Sequence, residues 1–241
     1  KSLLTVSGLF TQNRLDYTSQ VSGDDEWISN FITSRNSGAS VHFNHKANEK
    51  WTTDIMAAWA RYSYNFDNTI FSDYDSLEVD EYFFRSNFVD HLSLKWNNTF
   101  KIKDHHQIST GYQIFYNDVF FNIGSNEDSL SFSETGSNYG FTNAMNINYQ
   151  FKKNRWLLKA GGRFCHLTTT EDFYAEPRLY AQFKINEWMT TKAEFGMQNQ
   201  FISQIDQFDY VQLGLNNRIW VFADGDEIPV VKSQIANIGF V

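Results

Sequence analysis

Along most of the chain apolar and polar residues alternate one by one, the period of a sheet with one greasy and one polar face. The pattern is clearest from 176 to 201. Pro177, Leu179, Ala181, Phe183 and Ile185 fall on one face, and Arg178, Tyr180, Gln182 and Lys184 on the other. After a break at Asn186-Glu187-Trp188 it resumes. Met189, Thr191, Ala193, Phe195 and Met197 alternate with Thr190, Lys192, Glu194, Gly196 and Gln198. Two such runs joined by a tight turn predict a hairpin. Charges such as Lys192 and Glu194 need water or partners, so one side of the sheet is wet.

The same rhythm predicts about ten strands, near 2–13, 29–45, 51–65, 84–101, 107–121, 138–151, 155–168, 175–185, 189–202 and 231–241. In the sixth, Phe141, Asn143, Met145, Ile147, Tyr149 and Phe151 oppose Thr142, Ala144, Asn146, Asn148, Gln150 and Lys152. In the fourth, Leu92, Leu94 and Trp96 oppose His91, Ser93, Lys95 and Asn97. No helical period of similar quality and no linker interrupts the series. The expected fold is all-β, antiparallel and up-and-down, with residues 1–241 forming a single partial barrel domain.

Breaks between strands alternate in length. The short ones, around 46–50, 101–105, 152–155 and 184–187, are neutral to basic. The long ones, roughly 14–24, 66–82, 122–137 and 203–230, collect most of the acids, among them Asp24, Asp25, Glu26, Asp73, Asp75, Glu78, Asp80, Glu81, Glu127, Asp128, Glu134, Asp206, Asp224, Asp226 and Glu227. Short turns at one end and long loops at the other are the asymmetry of an outer-membrane barrel. Trp51, Trp96, Phe100, Tyr149, Phe151, Trp156 and Trp188 all lie within a few residues of a short turn, where an interfacial girdle belongs. A soluble sandwich would instead concentrate its aromatics mid-strand.

Composition narrows this further. Aromatics reach 17%, with only 2 Pro and 13 Gly, so Asn, Asp and Ser carry the turns. Mean hydropathy is −0.47 and no run approaches the ~20 apolar residues of a spanning helix, which leaves barrels open because their strands are only half apolar. The net charge of −8 and the acidic long-loop rim exclude nucleic acid as the expected partner. The single Cys165 excludes an internal disulfide and reads as an inert small side chain. Lys1-Ser2-Leu3-Leu4-Thr5-Val6 lacks the apolar core of a signal peptide and enters a strand at once, so something is expected to precede it.

Glu176-Pro177-Arg178-Leu179, its alternating strand, the short turn, Lys192-Ala193-Glu194-Phe195-Gly196 and Gln200-Phe201 resemble the mid-barrel region of TonB-dependent outer-membrane receptors of the Bacteroidetes kind. The resemblance implies a barrel of about 22 strands with a plugged lumen, located in the cell outer membrane and importing a scarce siderophore, vitamin, glycan or peptide. It also implies outer-membrane lipid, a plug domain, the TonB complex and a surface lipoprotein as partners. Ten strands would leave two open edges, which lipid does not tolerate, so the chain is expected to be part of a longer receptor.

Ligand contacts are expected on the lumen wall, from Arg163, Arg178, Lys192, Glu194, Gln198 and Gln200, with Lys159 and Glu176 completing a charged ladder whose members also satisfy one another. Further contacts are expected from Trp27, Phe71, Tyr74 and Tyr82 on the loops, with Phe120 and Phe121, suited to stacking on a sugar, haem or catecholate ring. Asp73, Asp75 and Asp80 carry oxygen donors for a hard cation, but their spacing is not that of an EF-hand. Asp104-His105-His106 reads as a wet turn. No nucleophile elbow, phosphate loop or His-Glu-x-x-His is present; no cofactor and no enzyme activity are expected. A soluble or surface-attached glycan-binding sandwich and an outer-membrane barrel hydrolase stand as alternatives.

Overall fold

A computed structural model describes residues 1–20, 26–71, 79, 81–126, 131–206 and 218–241. The chain forms β1 (Ser2–Gln20), β2 (Trp27–Lys46), β3 (Trp51–Phe71), β4 (Glu81–Lys103), β5 (His106–Asn126), β6 (Phe132–Lys153), β7 (Trp156–Leu167), β8 (Asp172–Lys184), β9 (Thr190–Gln200), β10 (Ile202–Asp206), β11 (Arg218–Phe222) and β12 (Val231–Phe240). Ten of these make one antiparallel sheet in the order β1-β2-β3-β4-β5-β6-β7-β8-β9-β12, and β10 pairs with β11 in a separate hairpin. Among the described residues only that two-stranded hairpin faces the ten-stranded sheet, too little for the second layer of a sandwich, which removes that alternative. Strands β1 and β12 are, among the described residues, the two edges of the sheet.

Register, rather than propensity, sorts the side chains. Directly paired residues lie on the same face. Following Leu4↔Phe43, Phe43↔Ile55, Ile55↔Trp96, Trp96↔Tyr112, Tyr112↔Met145 and Met145↔Phe164 crosses seven strands on one apolar face. This face is exposed although it is greasy; Met145 keeps 64% of its surface and Leu94 49%. Its lower margin near the short turns carries Trp51 stacked on Phe100 at 5.9 Å and Trp156 against Phe183 at 4.5 Å. Aromatics mark the opposite margin too, with Tyr116 between Tyr139 and Phe141 at 6.4 and 5.0 Å. On β5 the band runs from Ile108 to Tyr116, the ~9–11 residues of a tilted membrane strand.

Among the described residues, three of the long breaks turn out to be mostly strand. β1 continues through Arg14–Gln20, β3 to Phe71, β4 starts at Glu81, β5 reaches Asn126 and β6 begins at Phe132. Asn, Asp and Ser have poor strand propensity, so residue preference hid these extensions, while the cross-strand ladder imposes them. Above the apolar band the same outer face turns polar: Arg61, Ser63, Asn65 and Asp67 follow Trp59 on β3, and Arg61 donates to Asp90 of β4. The wall therefore rises past the band as a water-facing sheet. The far connection at 168–171, between β7 and β8, is short. The short turns are built as expected: the Asn48 carboxamide oxygen accepts the amides of Lys50 and Trp51 at 2.8 and 2.9 Å, and Asn154 takes a φ of 50°, a left-handed turn conformation Asn tolerates.

If the apolar face meets hydrocarbon, a charge there and a charge-neutral change opposite it must differ. Leu94→Arg in mid-band is expected to cost about 2–4 kcal/mol in a lipid-vesicle unfolding titration, and Gln113→Asn on the other face under 1 kcal/mol. Equal costs would contradict the facial assignment.

Candidate functional site

The polar face gathers Lys159, Arg163, Glu176, Arg178, Lys192, Glu194 and Gln198 on three adjacent strands, through the pairs Arg163↔Glu176, Lys159↔Tyr180, Arg178↔Gly196, Tyr180↔Glu194 and Gln182↔Lys192. Glu176 is the hub. Its side chain is fully buried and accepts from Arg163 Nη1 at 3.3 Å and Arg178 Nη2 at 3.2 Å. The same carboxylate accepts the backbone amide of Asn199 at 3.0 Å. Neighbouring Pro177 explains that last bond. Proline has no N–H for the ladder, and β8–β9 pairing stops at Arg178↔Gly196. Strand β9 runs on to Gln200 paired only with β12, so its amide at Asn199 needs another acceptor, and Glu176 supplies one. The Glu-Pro-Arg run is thus a gap in the ladder, a carboxylate that closes it and a guanidinium that neutralises the carboxylate.

The remaining ladder members have local partners. Lys159 sits 5.5 Å from the Tyr180 ring, Glu194 accepts from Asn237 of β12 at 2.6 Å, and Gln200 donates to the Ile202 carbonyl at 2.6 Å. Lys192 shares the face with its register partners Gln182 and Gly239. Further along, Phe115 of β5 is flanked by Lys95 of β4 and Arg163 of β7, each 5.5 Å from its ring, a cluster that alternation alone did not reveal. Cys165 is buried, with Sγ 4.0 Å from Glu176, as an inert side chain should be. A depression of about 310 Å³ opens among Arg178, Tyr180, Glu194, Gly196, Gln198 and Ile235.

The break at 203–230 is corrected most. Instead of one surface loop, it contains the β10–β11 hairpin, which lies back over the polar face of β4, β5 and β6. Phe222 and Ala223 are buried with Val119 and Leu167, and Ile219 and Val221 with Ile123. Asn87 of β4 holds the hairpin by imitating a strand: its Oδ1 accepts the Trp220 amide at 2.9 Å and its Nδ2 donates to the Trp220 carbonyl at 3.3 Å. Val119, Ile123 and Leu167 stand at polar-face positions, and this was the available signal: apolar residues on the wet face require a cover.

Aromatics expected on loops are distributed differently. Trp27 opens β2 and pairs with Phe71 at the end of β3, and Tyr82 lies in β4, stacked on Phe84 at 5.7 Å with its hydroxyl donating to Asp67 at 2.7 Å. Phe120 stacks on Phe88 at 5.1 Å on the outer face, and Phe121 packs under the hairpin. Tyr74, Asp73, Asp75 and Asp80 lie outside the described residues, and among those described no group of His, Cys, Asp or Glu is arranged to hold a metal. Of the acids, Asp224 closes the turn after β11. Burial alone would push its carboxyl up, but the amides of Ile228, Asp226 and their neighbours together hold it below the ordinary range.

Set beside solved structures, the chain superposes on the RagAB peptide transporter with a TM-score of 0.55 at 9% identity, covering 88% of this chain and 28% of that one. The chain has the barrel-wall fold of TonB-dependent outer-membrane receptors. The unliganded ferric citrate transporter FecA gives 0.54 at 10% identity over 82% of this chain and 36% of its own, and BauA, the ferric preacinetobactin receptor of Acinetobacter baumannii, gives 0.53 at 9% over 98% and 44%. The chain thus spans less than half the length of these structures. No family model and no curated protein matches its sequence. In barrels of this fold the apolar face is the outer one, so the polar face is lumenal and the β10–β11 hairpin folds inward at the end away from the short turns.

Two measurements check the site. Glu176→Ala leaves two guanidiniums without their carboxylate and an amide without its acceptor, and is expected to cost about 3–5 kcal/mol in chemical unfolding of the full receptor. Asp224, whose folded pKa is depressed, adds stability that is complete above its unfolded value near 4 and is lost as pH falls through the folded one. Amide exchange at Ile228 should therefore accelerate below about pH 4 in the native protein and be already fast at neutral pH in Asp224→Ala.

Proposed function

We propose that this chain is the wall segment of a TonB-dependent outer-membrane importer, lining the route of a scarce ligand. The observation that carries the reading is the two-faced wall: an exposed apolar band between aromatic margins, backed by a charged lumenal ladder. The ladder's net positive stretch, Lys159, Arg163, Arg178 and Lys192 against Glu176 and Glu194, gives a plug domain or a ligand polar groups to meet. Lipid, the plug domain with the TonB complex, and a surface lipoprotein over the outer mouth are the partners this reading implies. Siderophore, vitamin, glycan or peptide is the cargo.

Within that reading Arg178 serves the wall and the plug rather than the ligand. One of its donors is spent on Glu176, while 56% of its side chain stays exposed toward the lumen. The full-length receptor should fractionate with the outer membrane and require detergent; a soluble monomer would sink the importer reading. In that receptor Arg178→Ala should lower barrel stability and uptake together. Abolished uptake with unchanged unfolding would reassign Arg178 to the ligand.

A further inference from the structure

At the short-turn end the polar face carries a second constellation that the ligand route does not use. A cleft of about 800 Å³ lies across the turns at 46–50 and 101–107 and the end of β6. Lys46, Lys50, Lys101, Lys103 and Lys152 line it, against two acids, Glu49 and Asp104. Among the described residues none of these five lysines is ion-paired.

Their spacing is fixed by the backbone. The Lys101 amide donates to the Lys50 carbonyl at 2.8 Å, and the Lys152 amide to the His105 carbonyl at 2.9 Å, so the turns are tied edge to edge. Like charges held together on a rigid platform repel one another and persist where a partner of opposite sign relieves them. Register decides where most of them aim. Lys46, Lys101 and Lys152 fall on the lumenal face with Thr52, Gln107 and Gln150, while Trp51, Phe100 and Phe151 take the lipid face and Lys103, past a register shift, pairs with His106 at the rim. The cleft therefore opens into the periplasmic mouth and away from the bilayer, which disfavours a lipid headgroup. Lysines, as point charges on flexible stems, suit carboxylates arriving in varied geometry.

We propose that this cleft docks an acidic polypeptide segment of a periplasmic partner against the inner mouth of the barrel. The inference rests on the lumenal assignment of the polar face. The test uses the full-length receptor in detergent and a hexaglutamate peptide, followed by fluorescence anisotropy. The peptide should bind, should weaken steeply as salt rises, and should lose at least tenfold in affinity in K101Q/K103Q/K152Q. It should be unchanged in the charge-matched K153Q/R155Q/K232Q, of which Lys153 pairs with Trp156 on the lipid face and Lys232, 5.8 Å from the Tyr174 ring, sits at the end of β12 away from the short turns. Both variants are first checked for an unaltered sheet spectrum, and single Gln variants replace any triple that fails. Absence of binding, equal loss in both variants, or binding displaced by phosphatidylglycerol vesicles would overturn the proposal. A receptor that folds as a detergent-requiring barrel yet ignores the peptide defeats this inference alone, whereas a detergent-free soluble protein defeats the importer reading as well.

Discussion

Continuous antiparallel pairing is the constraint from which the rest of this structure follows. A backbone in hydrocarbon has no water to satisfy its amides and carbonyls, so each must be bonded to a neighbouring strand. Once β1 through β9 and β12 are locked in one ladder, side-chain direction is no longer free: a slip of one residue would carry Leu94 and Trp96 to the lumen and Lys95 to the lipid. The apolar band, the aromatic margins and the charged ladder are three consequences of one register.

Where that pairing lapses, the chain has built a replacement. Pro177 removes a donor from the β8–β9 ladder, and the Glu176 carboxylate takes the orphaned Asn199 amide while Arg163 and Arg178 make its burial tolerable. Asn87 does the converse at β11, where its carboxamide offers a donor and an acceptor to a strand that has no wall neighbour. In both places one side chain substitutes for a missing length of backbone. Both sit on the polar face, so the irregular parts of the structure are gathered on one side of the sheet.

The charge distribution along the barrel axis has a physical reading too. Acids gather at the end away from the short turns, as in Asp67, Glu134 and Asp224, and lysines at the short-turn end. The exposed lysines affect folding little, since exposed charges are worth little to stability. They act instead on whatever approaches that end.

Alternation by itself determined the class of fold, nearly all the wall strands, the facial assignment and the membership of the ladder, because period two and face are local properties of the sequence. The Asn48 and Asn186 turns were equally legible. The Glu-Pro-Arg run could be recognised as a motif but not explained, since its reason lies in an amide of the next strand, at Asn199. Tertiary structure alone decided that 14–20, 66–71 and 132–137 continue as strand, because there a partner strand overrides weak propensity. It alone also laid β11 back over Val119 and Leu167, an arrangement set by burial between residues far apart in the chain.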